Sequence, residues 1–185
     1  MTTCIALIRG INVGRAKRMA MADLRDMFEG MGLSMSQTLL NSGNVVFRAQ
    51  RRKLRDLALS IEGQIIRRFG FSAAVVVITA DDLDKIVDES PLLAVANDPS
   101  RHLVAFVTDP ATLVKAKPLL DGAWAPERFA MGTKAAYLWC PNGVTHSPLG
   151  LSFARLTVDS ATTRNWATVL KLQAAAVRLG SASKR

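Results

Sequence analysis

The order of the apolar runs in the first 80 residues leaves this chain few folds. Residues 4–9 (Cys-Ile-Ala-Leu-Ile-Arg) are apolar without alternation up to Arg9, the pattern of a central strand buried on both faces. Met21, Leu24, Phe28 and Met31 then recur at helical spacing, which predicts an amphipathic helix over 20–31, closed by Gly32. Thr38–Leu40 and Val45–Phe47 are strand-like and flank Asn41-Ser-Gly-Asn44, a run of turn formers, so a hairpin is expected. Leu54, Leu57, Ile61 and Ile65 share one face of a helix over 51–69, and 73–78 (Ala-Ala-Val-Val-Val-Ile) read as another buried strand. The order β-α-β-β-α-β is that of the ferredoxin-like unit.

Thr79 with Asp82 three residues on predicts the capped start of a short acidic helix reaching about Ser90. Ser90–Ser100, with Pro91 and Pro99, reads as a linker. A second unit begins at 101: a strand over 102–108, a helix from Asp109-Pro110 to Lys117 stopped by Pro118, and a hairpin of 129–131 and 135–140 around Gly132-Thr133. Helices are predicted over 149–157 and over 163–179, the last with Trp166, Leu170, Ala174 and Val177 on one face. The tail Gly180–Arg185 is expected to fray. The fold class is therefore α+β, with two ferredoxin-like (βαββαβ-type) halves. The second is degenerate and ends in helices where the first has a strand. The domains are residues 1–80, an acidic helix and linker over 81–100, and 101–185.

Composition narrows the function classes. Of 185 residues, 49% are hydrophobic and 21% charged, which excludes a disordered chain. Cys4 and Cys140 both sit in apolar runs. They cannot build a disulfide framework, and buried thiols of a reducing compartment are expected. Together with His102 and His146 they form no short ligand spacing, so no metal site is predicted. Both histidines read as structural. The apolar run Cys4–Ile8 is short and is followed, not preceded, by basic residues, so it does not read as a leader peptide. No apolar run approaches about 18 residues, so no membrane span is expected, and the protein reads as cytoplasmic. Gly10-x-x-x-Gly14 is neither a phosphate-binding loop of Gly-Lys-Ser/Thr type nor a dinucleotide fingerprint, and no cofactor is predicted.

The charge is uneven. The whole chain carries 24 Lys+Arg against 15 Asp+Glu, for +9. Residues 1–80 hold 12 Lys+Arg and 5 Asp+Glu. Two clusters dominate, Arg9/Arg15/Lys17/Arg18 and Arg48/Arg51/Arg52/Lys53/Arg55, whereas 81–98 is acidic. A positive face of this kind attracts anionic small molecules or polyanions.

Four motifs follow one another along the chain: Leu7-Ile-Arg-Gly-Ile-Asn-Val-Gly14, Met21-Ala-Asp-Leu-Arg25, Asn41-Ser-Gly-Asn-Val-Val-Phe47, and Ala161-Thr-Thr-Arg-Asn-Trp166 with Val169-Leu-Lys-Leu172. Asp98-Pro-Ser-Arg101 precedes the second-half strand. In these motifs the chain strongly resembles the bacterial family known as domain of unknown function 1697. The resemblance implies two ferredoxin-like halves and no established activity. Family members usually carry a Gly- or Asn-rich loop with a Pro before the first helix, where this chain has Arg15-Ala-Lys-Arg-Met-Ala20. They also commonly start the penultimate helix with Ser-Lys-Leu, where this chain has Ser147-Pro-Leu-Gly-Leu151.

Strand directions in a βαββαβ unit put the loop after the first strand and the turn between the second and third strands at one edge. Arg9, Gly10, Asn12 and Gly14 are thereby expected beside Asn41, Ser42, Gly43 and Asn44. Backbone N–H groups, Asn amides and an Arg there suit a carboxylate, a phosphate or a base edge. The plain structural account is that the glycines supply positive φ and the asparagines cap the turn. A second candidate is Thr163, Arg164 and Asn165 at the expected N-terminus of the last helix, where N–H groups and the dipole favour anions. There Trp166 reads as a core anchor. No catalytic constellation is legible: Ser42 lacks a base, Asp81-Asp82 reads as first-turn helix charge, and Cys4 sits mid-strand. Whether the chain is an enzyme stays open. The leading expectation is a small anionic ligand bound at the basic, Asn/Gly-rich edge. A nucleic-acid-binding module and a structural or assembly module are the alternatives, the protein being a monomer or a homodimer.

Overall fold

The computed structural model describes residues 1–158 and 160–182. In chain order the elements are β1 (Thr2–Ile8), α1 (Met21–Gly30), β2 (Ser34–Leu39), β3 (Asn44–Ala49), α2 (Leu54–Phe69), β4 (Val75–Thr79) and α3 (Ala80–Asp88). They continue with β5 (His102–Val107), α4 (Ala111–Ala116), β6 (Arg128–Met131), β7 (Ala135–Trp139), α5 (Pro148–Thr157), β8 (Ala161–Asn165) and α6 (Trp166–Ala182). The two four-stranded antiparallel sheets have the orders β2-β3-β1-β4 and β6-β7-β5-β8. The chain divides into two compact units, Met1–Leu83 with the chain from Lys171 onward, and Asp84–Leu170.

In the first unit β1 lies between β3 and β4, antiparallel to both. Cys4, Ala6 and Ile8 point into a core with Leu24, Met27, Phe28, Leu57, Ile61 and Ile65 of α1 and α2. Ile5 and Leu7, on the opposite face of the same strand, are also fully buried. This two-sided burial is why the run is apolar without alternation. Phe28 and Phe47 meet edge-to-face at 5.1 Å. Gly32 closes α1 with φ +75°, its N–H donating to Glu29 O at 2.9 Å. Between β4 and α3, Thr79 Oγ1 accepts from Asp82 N at 3.0 Å and Asp82 Oδ2 from Thr79 N at 3.3 Å, a capping box.

The second unit repeats the topology completely. The residues expected to start the last helix form instead a fourth strand, β8, antiparallel to β5 with Leu103 opposite Asn165 and Val107 opposite Ala161. Both halves are thus β-α-β-β-α-β, and α6 follows the second as an addition. Ala-Thr-Thr-Arg-Asn carries no apolar alternation, and Thr serves both as a helix cap and as a strand former. Only pairing with β5 separates the two readings. The cap of α6 is Asn165, whose Oδ1 accepts from Thr168 N at 2.9 Å. Its buried stripe is Trp166, Val169, Leu172, Ala175, Ala176 and Leu179, whereas Leu170 and Val177, placed on that face from the sequence, are exposed. The sequence reading gave all of 101–185 to the second half, but α6 from Lys171 onward belongs with the first unit, where an added Cβ at Gly180 would lie 3.9 Å from Thr3 Oγ1. Gly180–Ala182 finish α6, and the tail residues 183–185 lie outside the described residues.

Asp109 Oδ1 accepts from Ala111 N at 2.8 Å, and α4 ends at Ala116 ahead of Pro118, which sits in the first turn of a following 3₁₀ helix, Lys117–Asp121, where no proline N–H is needed. Tyr137 is fully buried in β7, and its Oη donates to Ile86 O at 2.7 Å. Tyr137→Phe strands that carbonyl, and a loss of about 1–2 kcal/mol is expected. A lowered urea midpoint at unchanged m-value would show it. An unchanged midpoint would mean that the bond contributes nothing net.

Candidate ligand-binding edge

The edge predicted from strand directions is assembled in the first unit. Leu7 of β1 pairs with Asn44 of β3, Ile8 N donates to Gly43 O at 2.8 Å, and Arg9 N donates to Ala74 O at 2.9 Å. The connection from β1 to α1 (residues 9–20) therefore emerges beside the β2–β3 turn (residues 40–43).

That connection has an unusual backbone. Gly10, Asn12, Gly14 and Lys17 have φ of +65°, +57°, +61° and +52°, four left-handed residues in eight positions. Gly and Asn adopt such a conformation at little cost, so the strain falls on Lys17, and a path this irregular needs something to hold it. Asn12 does so. Its Nδ2 donates to Met19 O at 2.9 Å and to Asn41 O at 3.0 Å, its Oδ1 accepts from Met19 N at 2.9 Å, and its backbone N donates to Lys17 O at 3.1 Å. Ile11 and Met19 are buried and anchor the loop from below. Asn44 is fully buried, its Nδ2 donating to Leu39 O at 3.1 Å and Ser42 Oγ at 2.9 Å. The edge was expected to offer several Asn amides to a ligand. The Asn12 amide instead ties the two loops together, the Asn44 amide braces the β2–β3 turn from within, and Gly43 is buried. What the edge presents outward is Gly10, Gly14, Arg15, Lys17, Arg18, Asn41 and Ser42, all exposed, with Arg9 half-buried.

The surroundings are electropositive. α1 begins directly after this loop, and Ala20 supplies no side-chain cap, so its first N–H groups add to the positive potential. The last turn of α2 brings Arg67 and Arg68 to the same end of the sheet, Arg68 lying 4.0 Å from Asp23. The second basic cluster is elsewhere. Arg51, Arg52, Lys53 and Arg55 follow the far end of β3, where Ala49 pairs with Thr2, so the two clusters occupy opposite ends of the sheet and form no single positive face.

Thr163, Arg164 and Asn165 do not form a helix N-terminus. They lie in β8 of the second unit. Arg164 is buried, its Nη1 donating to Thr162 Oγ1 at 2.9 Å and Thr163 O at 2.8 Å, and burial lowers its guanidinium to about 10. Asn165 is spent as the α6 cap. Trp166 stacks on His102, ring centroids 4.6 Å apart and planes 14° from parallel. His102 is fully buried, its Nε2 3.5 Å from Ser90 Oγ, and burial lowers it to about 4. This stacked pair was not foreseen, because nothing in the spacing of residues 102 and 166 signals that β5 and the start of α6 adjoin. Burial pushes the Cys4 thiol up to about 11 and raises Cys140 as well, the opposite of what a nucleophilic cysteine needs.

Fold and edge together define a class: a double ferredoxin-like α+β protein with one elaborated, basic loop edge. The chain belongs to the DUF1697 family, described as "Protein of unknown function", whose model matches residues 1–137 and so covers the whole edge. Among solved structures it is similar in fold to conserved bacterial protein SP0830 from Streptococcus pneumoniae, with a TM-score of 0.73 and 21% identity over 95% of this chain and 98% of that one. No curated protein matches the chain. Among the described residues, no helix is long and apolar enough to cross a membrane.

Proposed function

We propose that the protein binds a small anionic ligand, a phosphate, nucleotide or carboxylate, at the edge formed by Arg9–Arg18 and Asn41–Ser42. The observation that carries this reading is a comparison internal to the chain. Both units have the same topology, yet the second joins β5 to α4 through residues 108–110 while the first joins β1 to α1 through residues 9–20. Three residues suffice for the scaffold. The additional nine are left-handed at several positions, clamped by Asn12, and carry Arg15, Lys17 and Arg18 on the surface. A loop longer than the connection requires, held in one defined irregular path, marks function more often than folding. The separation of the two basic clusters and the lack of an aromatic residue in the loop favour a small anion over a nucleic-acid strand, which needs a continuous track and stacking surfaces.

The test is calorimetry with inorganic phosphate, adenosine monophosphate and a dicarboxylate at low salt. Arg15→Ala/Lys17→Ala/Arg18→Ala is expected to weaken binding about 100-fold, the loss of one to two charge-assisted contacts. Arg51→Ala/Arg52→Ala/Lys53→Ala, at the other end of the sheet, is expected to leave it unchanged. Equal losses in both variants would reduce the effect to net charge and remove the site.

A further inference from the structure

We propose that the anion bound at this edge is a phosphate ester carrying an apolar group, and that the apolar part rests on Val13 and Leu40. This rests on the anion-binding reading above and extends it. Val13 is 72% exposed and Leu40 49% exposed. Each adjoins a residue of the Asn12–Asn41 hydrogen bond, so the bond that joins the two loops also brings these side chains to the same edge. Val13 is a β-branched residue between two left-handed ones, Asn12 and Gly14, with its side chain largely in solvent. Leu40 is itself left-handed, φ +57°, a conformation that Gly or Asn would adopt at lower cost. Leu40, both strained and exposed, is unfavourable for the isolated protein twice over, and Val13 is unfavourable through its exposure. Both become favourable when an apolar surface covers them. The corresponding β6–β7 turn of the second unit, Gly132-Thr133-Lys134, carries no apolar residue.

Arg15, Lys17 and Arg18 on the same loop supply the charge for the phosphate. The combination fits an ester with a hydrocarbon or ring substituent better than inorganic phosphate or a small dicarboxylate, which would leave Val13 and Leu40 bare.

The experiment compares inorganic phosphate with phenyl phosphate by calorimetry, in the native protein and in a Val13→Ser/Leu40→Asn variant. Asn tolerates the left-handed backbone, so the variant is expected to fold with an equal or higher melting temperature. In the native protein phenyl phosphate is expected to bind about tenfold more tightly than phosphate, as burial of a small apolar surface implies. In the variant that tenfold advantage is expected to vanish while phosphate binding stays. If both probes bind the native protein equally, or the advantage survives in the variant, the apolar contact is refuted and the anion site stands. If neither probe binds the native protein, the anion site fails and this inference with it. Sedimentation with phosphatidylcholine vesicles containing phosphatidic acid separates the sources of such an ester. Co-sedimentation lost in the variant assigns a lipid, and protein left in the supernatant while phenyl phosphate binds assigns a soluble ester.

Discussion

Gly43→Ala is expected to destabilise the protein by about 3 kcal/mol and to dismantle the candidate edge. Two costs combine at this position. Its φ is +72°, and a Cβ would lie 2.8 Å from Ile11 Cδ1 and 2.8 Å from Ile8 Cβ. The left-handed backbone alone costs an alanine about 1 kcal/mol. The overlap adds about 1–3 kcal/mol, because the backbone-proximal Ile8 Cβ cannot swing aside as the end of a long side chain could. The turn must move, and Gly43 O then loses the N–H of Ile8, the bond that seats the turn against β1. Gly14→Ala is the control. It shares the positive φ, but nothing lies within 4 Å of its added Cβ, so only the backbone cost applies. Urea denaturation of the two variants separates packing from strain. If Gly43→Ala costs no more than Gly14→Ala, the close approach of Ile8 and Ile11 is not a constraint.

Acidification is expected to weaken the second unit through His102. An unfolded histidine takes up its proton near 6.5, whereas the buried, Trp166-stacked imidazole resists until about 4. Between those values the unfolded chain binds more protons than the folded one, so stability falls as pH falls from about 6.5 to about 4 and is fully present above that window. The total at stake is about 3 kcal/mol. The physical cause is visible in the site: protonation would place a charge in a fully buried ring whose Nδ1 has no hydrogen-bond partner among the described residues, though the indole face of Trp166 offers partial compensation. His102→Phe keeps a flat ring against Trp166 and removes the titration. Urea midpoints of the two proteins at pH 7 and pH 4.5 are the measurement. Loss of stability in the native protein with a markedly flatter response in the variant is expected. Parallel pH dependences would assign the acid sensitivity to other groups.

These two positions illustrate what could be read from residues alone. Gly43 was legible, because Asn-Ser-Gly-Asn between strand-like runs predicts a hairpin turn and strand direction predicts its neighbour at the edge. His102 was legible only as a strand-opening histidine, since its partner lies 64 positions away and joins it through the fold. The asparagines show the same boundary. Asn12 and Asn44 were expected at the edge and are there, but whether an amide faces a ligand or a backbone carbonyl depends on a few degrees of loop path. The loop path spends both amides on the scaffold. Thr163–Asn165 failed for a different reason. A polar five-residue edge strand leading into an amphipathic helix has the same local preferences as the capped first turn of that helix. The pairing partner that decides between them is β5, which the local sequence does not contain.

The sequence by itself determined the element order of the first unit, the two-unit α+β class, the two-sided burial of β1 and the convergence of residues 9–14 with 41–44. Each follows from periodicity, turn chemistry and the forced alternation of strand direction, all of them local properties. The tertiary structure decided the rest: the fourth strand of the second unit, the return of α6 to the first unit, the separation of the basic clusters to opposite ends of a sheet, and the stacking of Trp166 on His102. Those depend on which distant segments share hydrogen bonds and a core, and the free energy of such pairings belongs to no single stretch of chain.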